Sequence, residues 1–178
     1  GAGSLAGILR ANYHRTVLAI RPLDKPVFAA VNGPAAGAGM SLAFACDVRI
    51  ASDAASFVPA FVNIGLVPDS GGSWLVRRVL GTARAFEWLA TGRRLPAEEA
   101  RQWGVVSEVV PAAELAQRTK EVADLFAGMP TRAVWETKRL LDRAETSPFE
   151  EQLELEATPQ AELTQTSDFR EGAAAFLE

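Results

Sequence analysis

An apolar strand that runs through a small-residue turn into a helix is the feature that most constrains how this chain folds. Residues 26–32 are an apolar run bounded by proline and glycine, which is typical of a buried strand. The small residues 33–39 follow, and the pattern then predicts a helix from about Gly39 to Cys46. Short strands are predicted at 48–51 and 55–58. Because a helix separates the strand at 26–32 from the strand at 48–51, we predict parallel pairing and an α/β fold class.

The second half of the chain is predicted to be mainly helical. From Ser73 onward the pattern is helical, with breaks at Gly81, Gly92, Gly104 and Pro111, and only 105–110 predicts a further strand. Apolar residues recur at steps of three and four within 131–145 and every four residues within 149–161. We expect those helix faces to pack on the core or on another subunit.

Composition excludes several classes of function. The formal net charge is −4 and the pI about 5.2, which argues against binding nucleic acid or an anionic membrane. No apolar run approaches the roughly 20 residues that a membrane span needs. One cysteine, Cys46 in an apolar segment, and one histidine cannot build a metal cluster. We therefore expect a cytoplasmic protein with no metal, no nucleic-acid partner and no membrane association.

The turn at residues 33–39 (Gly-Pro-Ala-Ala-Gly-Ala-Gly) is a candidate anion site. Its small residues let another molecule approach the main chain, and the following helix directs unpaired N–H groups at the turn. Such donors can hold a negative oxygen and polarise a carbonyl. The alternative is a turn that needs small residues for close packing alone. The segment lacks the G-x-G-x-x-G spacing and the P-loop lysine, so nucleotide binding is not expected.

Asp69 is the candidate catalytic group. It follows a series of apolar residues that could form a pocket of the kind that tunes a carboxylate for proton transfer. These residues are Phe61, Val62, Ile64, Leu66 and Val67. The alternative is that Asp69 caps the helix predicted from about Ser73.

Two serines are weighed as nucleophiles and rejected. Ser70 lies in an Asp-Ser-Gly-Gly sequence like that of trypsin-like proteases, but that fold is all-β and this segment opens a helix. The one candidate base for it, His14, lies in a polar segment that is expected to be at the surface. Ser41 lacks the second glycine of G-x-S-x-G and is expected to be a small helix residue.

Four segments of the chain resemble the crotonase superfamily, also called the enoyl-CoA hydratase/isomerase family. They are residues 25–47, 64–72, 97–110 and 168–176, and they occur in the family's order. The resemblance implies a spiral of β-β-α turns with a helical C-terminal region that builds trimers, often paired into hexamers. We expect residues 1–110 to be the remainder of the spiral core and 111–178 the helical oligomerisation region. The family's N-terminal third, with one oxyanion donor and part of the CoA adenine pocket, is expected to be absent from this chain.

The resemblance also implies a substrate and the residues that bind it. Members bind acyl-CoA thioesters, so coenzyme A is part of the substrate and no permanently bound cofactor is expected. By position, the backbone N–H of Ala38 is an oxyanion donor. The residues expected to bind substrate are Ala36, Gly37, Phe61, Val62 and Pro68.

The acids of this chain depart from the pattern of the family's hydratases. Hydratases carry two glutamates, and the matching positions hold Ser41 and Phe61, which cannot activate water as a carboxylate does. In having a lone acid at Asp69, the chain resembles family members that isomerise 1,2-epoxyphenylacetyl-CoA to oxepin-CoA or shift an enoyl-CoA double bond. The alternatives are another CoA reaction of the family (hydration, dehalogenation or thioester hydrolysis) and non-catalytic acyl-CoA binding.

Overall fold

The computed structural model describes residues 3–177 of the chain. Among them the chain forms helices, two small sheets and short connections. The helices are α1 (Leu5–Ile8), α2 (His14–Ile20), α3 (Ala38–Ala45), α4 (Gly72–Thr91), α5 (Ala97–Gln102), α6 (Leu115–Ala127), α7 (Thr131–Arg143), α8 (Phe149–Leu163) and α9 (Ser167–Leu177). The strands are β1 (Phe28–Val31), β2 (Pro34–Ala36), β3 (Val48–Ser52), β4 (Ser56–Val58), β5 (Leu95–Pro96) and β6 (Glu108–Val110). A π-helical turn, Leu9–Tyr13, joins α1 to α2, and a 3-10 helix spans Val62–Ile64.

The chain divides into two compact units. The first consists of Gly1–Leu23 with Val27–Ala123, and the second of Asp24–Pro26 with Asp124–Glu178. The predicted division at residue 110 concerns a spiral core and an oligomerisation region, and it stays a prediction.

Two three-stranded sheets build the first unit. In one sheet β1, β3 and β6 are all parallel, with Phe28 opposite Val48 and Ile50 opposite Glu108. The parallel pairing predicted for the strands at 26–32 and 48–51 is therefore confirmed. In the other sheet β4 lies between β2, which is parallel to it, and β5, which is antiparallel.

One strand lies within the segment that was predicted to be only a turn. Pro34–Ala36 pairs with Ser56–Val58, so three residues of the small-residue segment form an edge strand and not a turn. Small side chains without alternation carry no strand signal, and the pairing that stabilises β2 is with residues about twenty positions away.

Helix α3 lies at the centre of the first unit's core. It carries no charged residue, and Met40, Ser41 and Phe44 are buried. Helix α3 packs on α4, and the rings of Phe44 and Phe57 form a T-shaped pair with centroids 6.2 Å apart. A helix that is buried on most of its surface needs apolar residues all round, which explains the absence of an amphipathic stripe.

The predicted break at Gly81 is confirmed, because this residue is a non-helical kink that separates two helical segments within the span of α4. Gly81 adopts φ 73° and ψ 164°, and helical structure resumes directly after it as far as Thr91. The helix then ends at Gly92, whose N–H donates to the carbonyl of Trp88 at 3.1 Å. Trp88 is fully buried, and its indole N–H donates to the carbonyl of Arg93 at 2.9 Å.

The second unit is helical, as predicted for this part of the chain. Helices α7 and α8 pack on each other, and the amide of Gln152 donates to the carbonyl of Leu140 at 3.2 Å. A groove of about 510 Å³ lies between them and is lined in part by Leu140, Leu153 and Leu163. Phe149 of α8 is 73% exposed and Leu153 is 48% exposed.

Within residues 3–177, none of the helices is both long enough and apolar enough to cross a membrane.

Candidate active site

The small-residue segment ends in a backbone conformation that opens α3. Gly37 caps the helix with φ 52° and ψ −123°, a region in which residues with a Cβ are strained. The N–H of Gly37 continues the β2–β4 ladder by donating to the carbonyl of Val58 at 3.0 Å. The next N–H, that of Ala38, is the first of the helix.

The first helical N–H groups have no acceptor within α3. The first intrahelical bond runs from the N–H of Ser41 to the carbonyl of Gly37 at 3.1 Å. By helix geometry the N–H groups of Ala38, Gly39 and Met40 therefore lack a partner in the helix. The positive end of the helix dipole lies at the same place, so a negative oxygen near Ala38 is favoured.

Asp69 lies in a tight turn that leads into α4. Ser70 has φ 53° and Gly71 has φ 83°, and the N–H of Gly72 donates to the carbonyl of Asp69 at 2.8 Å. Two successive residues with positive φ and this closing bond are the features of a type I′ turn. The Asp69 side chain is half-buried, and its Oδ1 accepts a hydrogen bond from the Ser70 hydroxyl at 2.8 Å.

The alternative interpretation of Asp69 as a helix cap does not hold. The N-cap of α4 is Gly71, and no side chain caps the helix. The carboxylate therefore has no role in capping the start of α4.

Ser41 connects the turn of Asp69 to α3. Its hydroxyl is 3.0 Å from the carbonyl oxygen of Asp69 and 3.4 Å from that of Gly37, and the side chain is 0% exposed. A hydroxyl has one proton to donate, and the shorter distance favours Asp69 as the acceptor. The acid's backbone is thus anchored to the helix that presents the Ala38 N–H.

Gly72 makes this anchorage sterically possible. A Cβ added at Gly72 would lie 2.6 Å from the Ser41 hydroxyl oxygen, closer than real Cβ contacts. Helices α3 and α4 therefore approach each other closely beside the candidate acid.

The Phe61 ring packs against the start of α3. Phe61 is 7% exposed, and a ring atom lies 3.6 Å from the place that a Cβ on Gly37 would occupy. Pro68 lies beside Gly72. Ala36, the last residue of β2, is exposed. Val62 lies beside Gly92 at the far end of α4.

The apolar pocket expected around Asp69 is not formed by the residues that precede it. Of these, Ile64 is 73% exposed and Val67 is 78% exposed, and Val62 and Leu66 are also exposed. Val62 and Ile64 lie on the 3-10 helix, Leu66 and Val67 follow it, and Phe61 is the buried member of the set. That expectation was wrong because it assumed that apolar residues close in sequence share one face.

Arg49 is a residue that the sequence interpretation missed. Its guanidinium donates to the carbonyls of Val105 at 2.6 Å and Cys46 at 2.7 Å, and it lies 5.4 Å from the Phe44 ring centroid. Burial lowers the pKa of this guanidinium. The guanidinium donates to a carbonyl at the C-terminal end of α3, the end away from Ala38. Positive charge is favourable at that end of a helix. A basic residue shortly after a predicted helix end was the available signal.

The rejected serine nucleophiles stay without a histidine partner. Ser70 is 3% exposed and its hydroxyl donates to Asp69, while His14 is exposed on α2. Ser41 is buried, and its hydroxyl donates to the backbone carbonyl of Asp69. Among residues 3–177, no group of three or more His, Cys, Asp or Glu side chains is placed to hold a metal ion.

Comparison with known proteins defines the family. The family profile described as enoyl-CoA hydratase/isomerase matches residues 2–178. The chain therefore belongs to the enoyl-CoA hydratase/isomerase family, and the predicted crotonase fold class is confirmed.

Individual relatives give different activities within that family. The chain is 42% identical over 165 residues to 1,2-epoxyphenylacetyl-CoA isomerase of Escherichia coli K12. The aligned region covers 93% of this chain and 63% of that protein. The chain is also 42% identical over 175 residues to a protein of Rhodobacter capsulatus named a probable enoyl-CoA hydratase, covering 98% of this chain and 68% of that protein. The chain thus spans about two thirds of the length of these relatives.

A solved structure matches over the same extent. The crystal structure of an enoyl-CoA hydratase/isomerase from Cupriavidus metallidurans superposes with a TM-score of 0.91 at 36% identity. The match covers 99% of this chain and 67% of that one.

Proposed function

We propose that this chain carries the proton-transfer half of an acyl-CoA isomerase site, with Asp69 as the acid/base and the Ala38 N–H as an oxyanion donor. The observation that carries the proposal is the hydrogen bond from Ser41 to the Asp69 carbonyl at 3.0 Å. It fixes the acid to the same helix whose first N–H is that of Ala38. A donor and a base held by one rigid element favour a reaction that needs both at once.

In the proposed reaction Asp69 takes a proton from a carbon of the acyl chain. The electron pair moves towards the thioester oxygen, which the Ala38 N–H and a second donor stabilise as an enolate. Asp69 then returns the proton to a different carbon, so the double bond moves and nothing is gained or lost overall. Donors aimed at such a developing oxyanion are commonly worth roughly a hundred- to a thousand-fold in rate.

The substrate that we propose is 1,2-epoxyphenylacetyl-CoA, with an enoyl-CoA double-bond shift as a related activity. In its conversion to oxepin-CoA the ring carbon–carbon bond that the epoxide oxygen bridges breaks as the ring's double bonds rearrange, and both carbon–oxygen bonds are kept. Asp69 then moves a proton from the carbon next to the thioester carbonyl to a ring carbon, so that no atom is gained or lost. Similarity to the Escherichia coli isomerase supports this choice. The residues at the hydratase positions support it as well, because Ser41 and Phe61 provide no carboxylate. In this proposal Ala36, Gly37, Phe61, Val62 and Pro68 contact the substrate, whose coenzyme A moiety is not a separate cofactor.

The test is the substitution Asp69→Asn, which keeps the shape of the side chain and removes the base. We expect isomerisation of 3-enoyl-CoA and of 1,2-epoxyphenylacetyl-CoA to fall at least a hundredfold, with acyl-CoA affinity within about twofold of wild type. Asp53→Asn is the matched control. Asp53 is exposed, and its Oδ1 accepts from the N–H of Ala112, which an asparagine oxygen can also do. Wild-type turnover by Asp69→Asn would refute the role of Asp69.

Hydration is the second candidate, supported by the similarity to the Rhodobacter capsulatus protein. Product analysis in ¹⁸O-labelled water separates the two reactions, because hydration incorporates solvent oxygen and isomerisation does not. Acyl-CoA binding without turnover of either kind would instead support a non-catalytic binding protein.

We also propose that residues 111–178 assemble copies of this chain into a trimer or hexamer. The support is the exposed apolar surface of α8, where Phe149 and Leu153 lie open to solvent. Apolar side chains of this size are rarely left exposed together on a surface that has no partner.

A further inference from the structure

The turn that carries Asp69 contains an unusual backbone conformation. Among residues 3–177, Ser70 is the one non-glycine residue with positive φ, at 53°. The left-handed region is costly for a residue with a Cβ, and a type I′ turn prefers glycine, asparagine or aspartate at this position. A glycine at residue 70 would form the same turn more easily. The serine must therefore supply something that glycine lacks.

The serine adds a hydroxyl group, which is hydrogen-bonded to the carboxylate of the candidate acid. The hydroxyl donates to Oδ1 of Asp69 at 2.8 Å, a normal length for such a bond. Ser70 is 3% exposed, so its hydroxyl is enclosed by the protein. The bond restricts rotation of the carboxylate and leaves Oδ2 as the oxygen free to take a proton.

The same burial limits what Ser70 itself can touch. A hydroxyl that is enclosed and already committed to Oδ1 has no access to a substrate. Its effect on a reaction would pass through Asp69. Strained backbone that is retained at a candidate catalytic turn is a common sign of a functional constraint.

We propose that Ser70 is a positioning residue that holds the Asp69 carboxylate in the orientation for proton transfer, and that its strained backbone is kept for this hydroxyl. The inference rests on the proposed function of Asp69. It adds a second residue whose side chain determines the rate without contacting the substrate.

Two substitutions separate the hydroxyl from the backbone strain. Ser70→Ala keeps the Cβ and the strain but loses the hydroxyl, whereas Ser70→Gly loses both. We expect both variants to lower kcat about tenfold and to leave KM within about twofold of wild type. We expect the Tm of Ser70→Gly to lie about 2–4 °C above that of Ser70→Ala, because glycine removes the left-handed strain that alanine retains. The rate should thus depend on whether the hydroxyl is present, and thermal stability should depend on whether residue 70 has a Cβ in the left-handed conformation.

The measurements are steady-state isomerisation kinetics and thermal unfolding of the purified protein and its variants. Wild-type kcat in Ser70→Ala, or a loss of kcat in Ser70→Ala that Ser70→Gly restores, would overturn the inference. If Ser70→Ala fails to fold, Ser70→Gly alone still decides it, because wild-type kcat there would show that the hydroxyl is dispensable. Asp69→Asn distinguishes the two proposals: an inactive Asp69→Asn beside a fully active Ser70→Ala removes only this inference, and an active Asp69→Asn removes both.

Discussion

Gly72→Ala tests the close approach of α3 and α4 beside Asp69. The added Cβ would lie 2.6 Å from the Ser41 hydroxyl oxygen, and the next nearest atoms, Cβ of Pro68 and Cβ of Ser41, are 3.6 Å away. The conflict is therefore with one oxygen atom. That oxygen either rotates away and loses its bond to the Asp69 carbonyl, or stays and forces the two helices apart.

Both responses have a calculable cost. Loss of the hydrogen bond from Ser41 costs about 1 kcal/mol, and overpacking of a tight core costs about 1–3 kcal/mol. We therefore expect Gly72→Ala to lower the free energy of unfolding by about 1–3 kcal/mol. Ser41→Ala alone should cost about 1 kcal/mol, for the same hydrogen bond.

The double variant carries the sharper prediction. With Ser41→Ala in place, the alanine at residue 72 would meet only atoms at 3.6 Å, which is ordinary van der Waals contact. The cost of Gly72→Ala should then fall to about zero, and the double variant should be about as stable as Ser41→Ala alone. Urea unfolding of wild type, the two single variants and the double variant measures this coupling, provided that the denaturant dependence m is the same for all four. Simple additivity of the two costs would refute the proposed contact.

Two further predictions concern charge and assembly. The Arg118 guanidinium, which donates to both oxygens of Glu108 at 2.6 and 2.9 Å, lowers the pKa of that carboxyl. A carboxyl with a lowered folded-state pKa stabilises the fold above the unfolded-state pKa of about 4.3 and loses this effect as pH falls through the folded-state value. The stability difference between wild type and Glu108→Gln should thus be constant above about pH 5 and shrink below about pH 4, and a difference independent of pH would contradict the pairing. Sedimentation should give three or six times the subunit mass, and Phe149→Glu should lower it; a wild-type monomer would contradict the proposed assembly.

The elements that the sequence predicts well are those with a strong local pattern. The strand predicted at 26–32 is observed at 28–31, and the helix predicted from about Gly39 to Cys46 is observed at 38–45. Both depend on local signals, an apolar run between proline and glycine and a run of small and apolar residues. Strand β2 was missed because Pro34–Ala36 has no alternation and depends on pairing with Ser56–Val58. The break at Gly81 was located correctly, because a glycine inside a helical pattern is itself a local signal.

The candidate site was predictable in its members and not in its connections. Asp69 and Ala38 were selected by residue type, by a turn signal and by resemblance to a family. The bond from Ser41 to Asp69 joins residues 28 positions apart, and no sequence pattern predicts it. The role of Arg49 at the far end of α3 depends on the same kind of long-range contact with Val105. The outward direction of Ile64 and Val67 follows from backbone geometry that apolar composition does not report.

The most direct test of the central claim is a crystal structure of the protein with an unreactive acyl-CoA thioester. We expect the thioester oxygen to lie about 2.7–3.1 Å from the backbone nitrogen of Ala38, with the Asp69 carboxylate facing the carbons next to the thioester. A thioester bound away from Ala38, or acyl carbons beyond the reach of Asp69, would contradict the account.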